Sequence, residues 1–189
     1  MIRLAKLLSQ KVLFDKYGKK FIVEKLEMFD GVHCEWAYLE SHPGVVIVAL
    51  DTDKNLILVR QFRYTFNDYT YENPAGGIEL NEESLSAAKR ELFEETGYKS
   101  ENLISLGTFY DLPNEVKHSA QVFLAHDCQY FSPPAFDADI EKYYDITVEK
   151  HPFSEIINSL GTPSCLIKSA EQTAVIFLAH RYLATHDLL

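Results

Sequence analysis

Apolar and polar residues are arranged in three ways along this chain, and each arrangement predicts a different element. Over the first forty residues, β-branched and aromatic side chains fill Gln10–Phe14, Phe21–Phe29 and Cys34–Glu40. Tyr17-Gly18-Lys19 and Asp30-Gly31 interrupt them, so three short strands joined by turns are expected. Gly44–Leu50 is the most apolar stretch, and a polar turn at Asp51–Asn55 leads into Leu56–Phe62. Two such runs predict a hairpin buried in a sheet. A polar, aromatic stretch, Arg63–Glu72, precedes Asn73-Pro74-Ala75-Gly76-Gly77. Leu85, Ala88 and Leu92 then recur at spacings of three and four, which predicts a helix with Asn81 as N-cap and Gly97 as the glycine that ends it. Strands are expected again at Ile104–Phe109, Ala120–Ala125 and Tyr144–Val148, with a loop at Phe131–Pro134. A short helix over Phe153–Ser159 and an amphipathic one over Ser169–Ala184 complete the pattern. No repeat of solenoid period is present. The order strands, helix, strands, helix is that of an α+β protein.

Composition narrows what such a protein does. The 189 residues are 47% hydrophobic, enough for a sizeable core, and 8 Gly and 7 Pro exclude low complexity. With 18 Lys and Arg against 28 Asp and Glu, the net charge is −10. That balance argues against a nucleic-acid binder, which needs a basic footprint. A small phosphorylated substrate remains compatible if metal ions supply positive charge. Cys34, Cys128 and Cys165 are too few and too scattered for a disulfide framework or a zinc site. Met1–Leu8 carries Arg3 and Lys6 and is a poor signal peptide, and no run of about 18 apolar residues could span a membrane. A cytoplasmic protein is expected.

The chemistry concentrates between Gly76 and Tyr98. On a helical wheel with Glu91 at zero, Glu94 falls at about −60° and Glu95 at about +40°, so three carboxylates share one face. Leu85, Ala88 and Leu92 form the adjacent packing stripe, while the small Ser84 and Ala87 lie under the acidic face and leave room there. Like charges at this spacing disfavour a helix unless a cation sits among them. Hard divalent ions take oxygen ligands and keep positions open for water and phosphate oxygens. Arg90 is placed to orient the carboxylates through paired hydrogen bonds. The seven histidines show no metal-ligand spacing, and Lys168 reads as a surface residue.

Gly76, Glu82, Arg90, Glu91, Glu94, Glu95 and Gly97 stand at the spacing of the Nudix box, and the chain resembles a Nudix hydrolase at each of these positions. A chance match of seven residue types in a chain this size is on the order of one in a million. Leu92 fills the first hydrophobic position, and Tyr98 stands where an aliphatic residue is usual. The resemblance implies Glu91, Glu94 and Glu95 as metal ligands, with Glu82 a further contributor. An ideal helix would place Glu82 near 180°, on the wrong face, so it contributes only if the helix starts irregularly.

Beyond the box, over roughly Phe21 to Leu183, the chain is most similar to the ADP-ribose and nucleoside-diphosphate-sugar pyrophosphatases. Glu72-Asn73-Pro74-Ala75-Gly76 is similar to a segment of that branch in which the alanine carbonyl joins the metal shell, here Ala75. Pro113 lies 15 residues past the box, where the branch usually carries a proline. Val59–Arg63 is similar to a strand end that contacts substrate phosphate, which implies Arg63, with Arg60 beside it, as substrate-binding. A catalytic or metal-binding glutamate often comes from a loop late in the chain. Glu141 is the candidate, with Asp139 and Asp145 as competitors, and Glu115 is a further loop acid for substrate or metal. Trp36, Tyr38, Phe66 and Tyr69 are available to stack on a base.

The resemblance thus implies a Nudix-fold α/β/α sandwich with a mixed central sheet over residues 43–189, preceded by a small antiparallel β region over 1–42. That region is too short to bury its own core, so a homodimer through the N-terminal strands is expected. The implied reaction is hydrolysis of the pyrophosphate of ADP-ribose or a related nucleoside diphosphate sugar, assisted by Mg²⁺ or Mn²⁺, to a nucleoside monophosphate and a sugar phosphate. Pyrophosphate release from nucleoside triphosphates, and a catalytically silent nucleotide-sensing module, are the alternatives. Neither nucleic acid nor membrane is expected as a partner.

Overall fold

Tyr17 and Gly18 both take positive φ, 56° and 69°. Such a two-residue turn follows the natural strand twist and closes a hairpin tightly. It joins β1 (Ala5–Lys16) to β2 (Lys19–Met28), which pairs in turn with β3 (His33–Ser41), all antiparallel. This is a computed structural model, and it describes residues 5–135 and 144–188. Two compact units are present. The first runs to Pro43 and also takes in Phe109–Ala120, a return segment outside the expected 1–42 boundary. Its β10 (Val116–Lys117) adds a parallel partner to β3, giving the order β1-β2-β3-β10. Strand β1 is exposed along nearly its whole length and skips register at Leu8 and Leu13, two bulges on an open edge.

The second unit is built on β4 (Gly44–Asp51) and β5 (Asn55–Arg63), the expected buried hairpin. Asp51 fixes its turn, accepting from the Asp53 and Asn55 N–H groups and from Lys150 Nζ at 2.9–3.0 Å. The polar stretch after β5 turns back as β6 (Asp68–Glu72) along β5, and β7 (Ala75–Gly77) pairs with β4. With β8 (Tyr98–Lys99), β9 (Asn102–Tyr110), β11 (Ser119–Tyr130) and β12 (Thr147–Pro152), these make an eight-stranded sheet ordered β12-β5-β4-β11-β8. The last expected strand, Tyr144–Val148, is thus displaced to Thr147–Pro152.

Strand alternation divides the core into two layers. Val45, Ile47 and Ala49 meet α1 (Ser84–Thr96) through Ala87, Ala88 and Leu92. Val46, Val48 and Leu50 turn to the opposite face, where α2 (Phe153–Ser159) and α3 (Ala170–Thr185) bury Phe153, Ile156, Val175, Ile176, Ala179 and Leu183. Helices on both faces of a mixed sheet are the expected α/β/α sandwich. The packing stripe of α1 differs from the wheel, for Leu85 is exposed in the first turn and Ala87 is buried instead. The core cluster also holds Cys128, whose thiol burial pushes up to about 12.

Gly97 ends α1 as expected. Its φ is 75°, its N–H donates to the Phe93 carbonyl at 2.8 Å, and a Cβ there would collide with the Ser132 carbonyl oxygen. Gly97→Ala is therefore expected to lower unfolding stability by about 1–3 kcal/mol, read from urea denaturation.

Candidate active site on the acidic helix

Asn81, expected as the N-cap, instead takes φ 65° in the loop before α1, and the cap position is Glu83, without a side-chain cap bond. The helix therefore begins later than its acidic pattern, and Glu82 lies outside it. Freed from helical geometry, the Glu82 carboxylate accepts the Glu79 N–H at 2.9 Å and closes the loop over itself. It also receives a two-point contact from Arg90, Nε and Nη2 both at 2.9 Å.

Arg90 uses its whole guanidinium. Besides Glu82, Nη2 reaches the Gly77 carbonyl at 2.9 Å, and Nη1 reaches Glu91 at 2.7 Å and Glu94 at 3.1 Å. Five contacts match the five N–H groups that arginine carries. One side chain thus ties together the loop, the β7 backbone and two carboxylates of the helix.

The carboxylates sit in unlike environments. The Glu91 side chain is 13% exposed and that of Glu94 is 45% exposed. Burial pushes the Glu91 carboxyl above its ordinary range, Arg90 opposes this, and Glu94 and Glu82 add repulsion. Arg90 and the Glu79 N–H hold the Glu82 carboxyl down to about 2. Glu95 accepts the Ala75 N–H at 2.9 Å. Beneath Glu91 lies Gly76, where any Cβ would collide with the Glu91 carboxylate, so glycine is required by close approach.

A second ion pair stands on the same face. Residues Gln61 and Arg63 of β5 and Thr70 and Glu72 of β6 alternate onto one side. Glu72 receives Arg63 through Nε at 2.9 Å and Nη2 at 2.5 Å, Thr70 Oγ1 at 2.6 Å and Gln61 Nε2 at 3.2 Å. Burial alone would raise the Glu72 carboxyl, but these bonds hold it below its ordinary range. Glu72 in turn raises Arg63, and Glu95 adds to the effect, which places the two clusters within electrostatic reach. Glu72 was not singled out from the sequence. The alternation of Tyr69 and Tyr71 with Thr70 and Glu72 would have revealed it, but the polar Asn67 and Asp68 within Arg63–Glu72 hid that strand.

Glu82, Arg90, Glu91, Glu94, Glu95, Ala75 and Arg63 are therefore brought together. Arg60 points from the other face of β5, where its guanidinium lies 3.6 Å from the Tyr69 ring centre. Glu115 belongs to the first unit, its carbonyl accepting the Leu39 N–H. Glu141 and Asp139 lie outside the described residues, and Asp145 accepts the Tyr69 hydroxyl at 2.6 Å. Trp36 and Tyr38 line a cavity of about 780 Å³ within the first unit, together with Tyr110, Lys20, Lys117 and His118. Phe66 is exposed.

Among the described residues no three Asp, Glu, His or Cys side chains converge as a ready ligand set. Glu91 and Glu94 are turned to Arg90 instead, and Glu95 to the Ala75 N–H. The donors still suit a hard divalent cation. All are oxygens, and Glu72, Glu82, Glu91, Glu94 and Glu95 outnumber Arg63 and Arg90 by three charges.

The NUDIX domain matches residues 40–156, more than half of the chain. The chain belongs to this family. An ADP-ribose pyrophosphatase of Bacillus subtilis is 34% identical to this Nudix chain over 123 residues, 65% of this chain and 66% of that protein. A methanol dehydrogenase activator of Bacillus methanolicus is 31% identical over 117 residues, 60% of this chain and 63% of that protein. The match spans just under two thirds of the length of these relatives. The crystal structure of an ADP compounds hydrolase superposes with a TM-score of 0.83 over 100% of this chain and 99% of that one. At 20% identity this likeness shows the fold.

The Arg90 fork has a direct readout. A carboxyl held down by its partners contributes stability above its ordinary value near 4.5, and that stability is lost as pH falls through about 2. Carbon-detected NMR titration is expected to give Glu82 a midpoint near that lower value. In Arg90→Lys, which cannot form the two-point contact, the midpoint should rise toward the ordinary range.

Proposed function

We propose that this Nudix chain is a metal-dependent hydrolase that cleaves the pyrophosphate of ADP-ribose or a related nucleoside diphosphate sugar. The products would be a nucleoside monophosphate and a sugar phosphate. The observation that carries this reading is the Glu91, Glu94 and Glu95 face, closed by Arg90 and laid against the backbone of Ala75 and Gly76. Glu91, Glu94, Glu95 and the Ala75 carbonyl are the residues that would hold Mg²⁺ or Mn²⁺. Bound there, such a cation supplies polarisation of a phosphoryl oxygen and acidifies a water.

The remaining roles fall to the chain itself. Arg90 keeps Glu82 ionised and holds Glu91 and Glu94 by one N–H group each, contacts for which a bound cation would compete. Gly76 lets the backbone approach the site closely. Arg63 spends two N–H groups on Glu72, and its side chain is 39% exposed, which leaves other donors for a phosphate oxygen. Glu141 is proposed as a further catalytic carboxylate. Identity alone does not choose the substrate, since a pyrophosphatase and an activator match almost equally. The Glu72–Gly76 segment, Pro113 and Arg63 support the nucleoside diphosphate sugar reading. Three cysteines without a disulfide are consistent with a cytoplasmic home, and among the described residues no helix is long and apolar enough to cross a membrane.

Product analysis with Mg²⁺ tests the reading, using ADP-ribose, GDP-mannose, UDP-glucose and nucleoside triphosphates. AMP and ribose phosphate are expected, with turnover about 100-fold or more lower in Glu95→Gln. Pyrophosphate released from triphosphates alone would replace the substrate assignment. Absence of all turnover would favour a sensing module.

We further propose that the chain forms a homodimer through its N-terminal strands. Leu7, Leu8, Val12, Leu13, Phe14, Phe21 and Trp36 are exposed on a strand edge and its neighbours, apolar surface that a second copy would bury. Analytical ultracentrifugation is expected to give twice the chain mass, reduced to the single chain by Leu13→Asp with Phe14→Asp.

A further inference from the structure

We propose that Gln172 is a positioning residue for the acidic site, acting through Asn73 on the Ala75 N–H that holds Glu95. The role in turnover rests on the hydrolase reading above, while the positioning itself stands on geometry. Gln172 lies in the first turn of α3 and is 6% exposed, and Asn73 is 2% exposed. A single oxygen, Gln172 Oε1, accepts both the Asn73 backbone N–H at 2.8 Å and Asn73 Nδ2 at 2.7 Å. Asn73 Oδ1 is buried without a partner, so this amide is held entirely from its donor side. Ser169 caps α3 by accepting the Gln172 N–H, which fixes the turn that carries the side chain.

What makes the contact matter is where Asn73 sits. Residues 72 to 75 each tie to a different element. Glu72 holds Arg63 on β5, the Pro74 carbonyl accepts the Ile47 N–H of β4 at 2.8 Å, and the Ala75 N–H reaches Glu95 of α1. Gln172 adds the tie to α3, from the sheet face opposite the acidic helix. Pro74 has a fixed φ and no donor, which leaves the chain between Asn73 and Ala75 few backbone freedoms. Removing the Gln172 oxygen would leave two buried donors of Asn73 unsatisfied, and the segment would shift to find partners. The Glu95 carboxylate would lose the Ala75 N–H that holds it.

The test compares three variants of the full chain. Gln172→Met keeps length and volume but removes the acceptor, and Gln172→Glu keeps an acceptor oxygen. Leu183→Ala weakens the far end of α3 without touching Asn73. In ¹⁵N-labelled protein, exchange of the Ala75 amide is expected to quicken about tenfold or more in Gln172→Met, relative to the Ala49 amide. Gln172→Glu and Leu183→Ala should leave that ratio within about twofold. With ADP-ribose, kcat should fall about tenfold or more in Gln172→Met while KM stays within about twofold, and Gln172→Glu should restore it. If Gln172→Met does not fold, Gln172→Ala removes the same acceptor from a good helix position and is read the same way. Unchanged Ala75 exchange in the acceptor-deleted variant overturns the proposal, as does an equal loss in Leu183→Ala. If the wild type does not hydrolyse ADP-ribose, the amide exchange still decides the clamp, and the failure belongs to the substrate reading.

Discussion

The acidic site depends on one guanidinium. Several carboxylates crowded on one end of a helix repel one another, and burial of Glu91 makes the repulsion stronger because water no longer screens it. Arg90 offsets this by giving every N–H it has to Glu82, Glu91, Glu94 and the Gly77 carbonyl. Its planar fork fixes direction as well as charge, which a lysine in the same place could not do. Because the Gly77 carbonyl is among its acceptors, the guanidinium also sets the distance between helix and β7. The glycines follow from this. Gly76 has no room for a side chain because Glu91 is drawn down onto the backbone.

Arg63 and Glu72 repeat the principle on the sheet. Their pairing is assembled by a strand return, with Gln61 and Thr70 filling the remaining acceptor sites of the carboxylate. The two clusters meet at Glu95, which bonds the Ala75 N–H and raises Arg63 electrostatically. Two arginines therefore bond four glutamates, the Ala75 N–H holds a fifth, and negative charge is still left over. In a chain with a net charge of −10, that surplus favours cations over anions at this face. Rigid support comes from the layers beneath, where Ala87, Ala88 and Leu92 seat α1 on a strand pair buried on both faces.

Much of this was legible in the residues. The β4–β5 hairpin, the end of α1 at Gly97, the short helix Phe153–Ser159 and the last amphipathic helix follow from local chemistry that each segment carries itself. The start of α1 was not legible. Asn81 has the side chain of a cap, yet the loop that Glu82 closes with Arg90 draws the chain into a left-handed turn and delays the helix to Ser84. Leu85 looked like core by spacing, and only its place in the first turn leaves it exposed.

Sequence by itself determined which charged groups gather on α1, because residue types at fixed spacing decide which side chains share a helix face. It placed Glu91, Glu94, Glu95 and Arg90 together for that reason. Tertiary structure alone decided the partners. That Glu72 serves Arg63 and that Gln172 anchors Asn73 from 99 residues away depend on strand register and layer packing, and that Glu82 serves Arg90 depends on the irregular loop before α1. Local periodicity cannot encode such contacts, since each is made between segments whose separation in the chain says nothing of their distance in space.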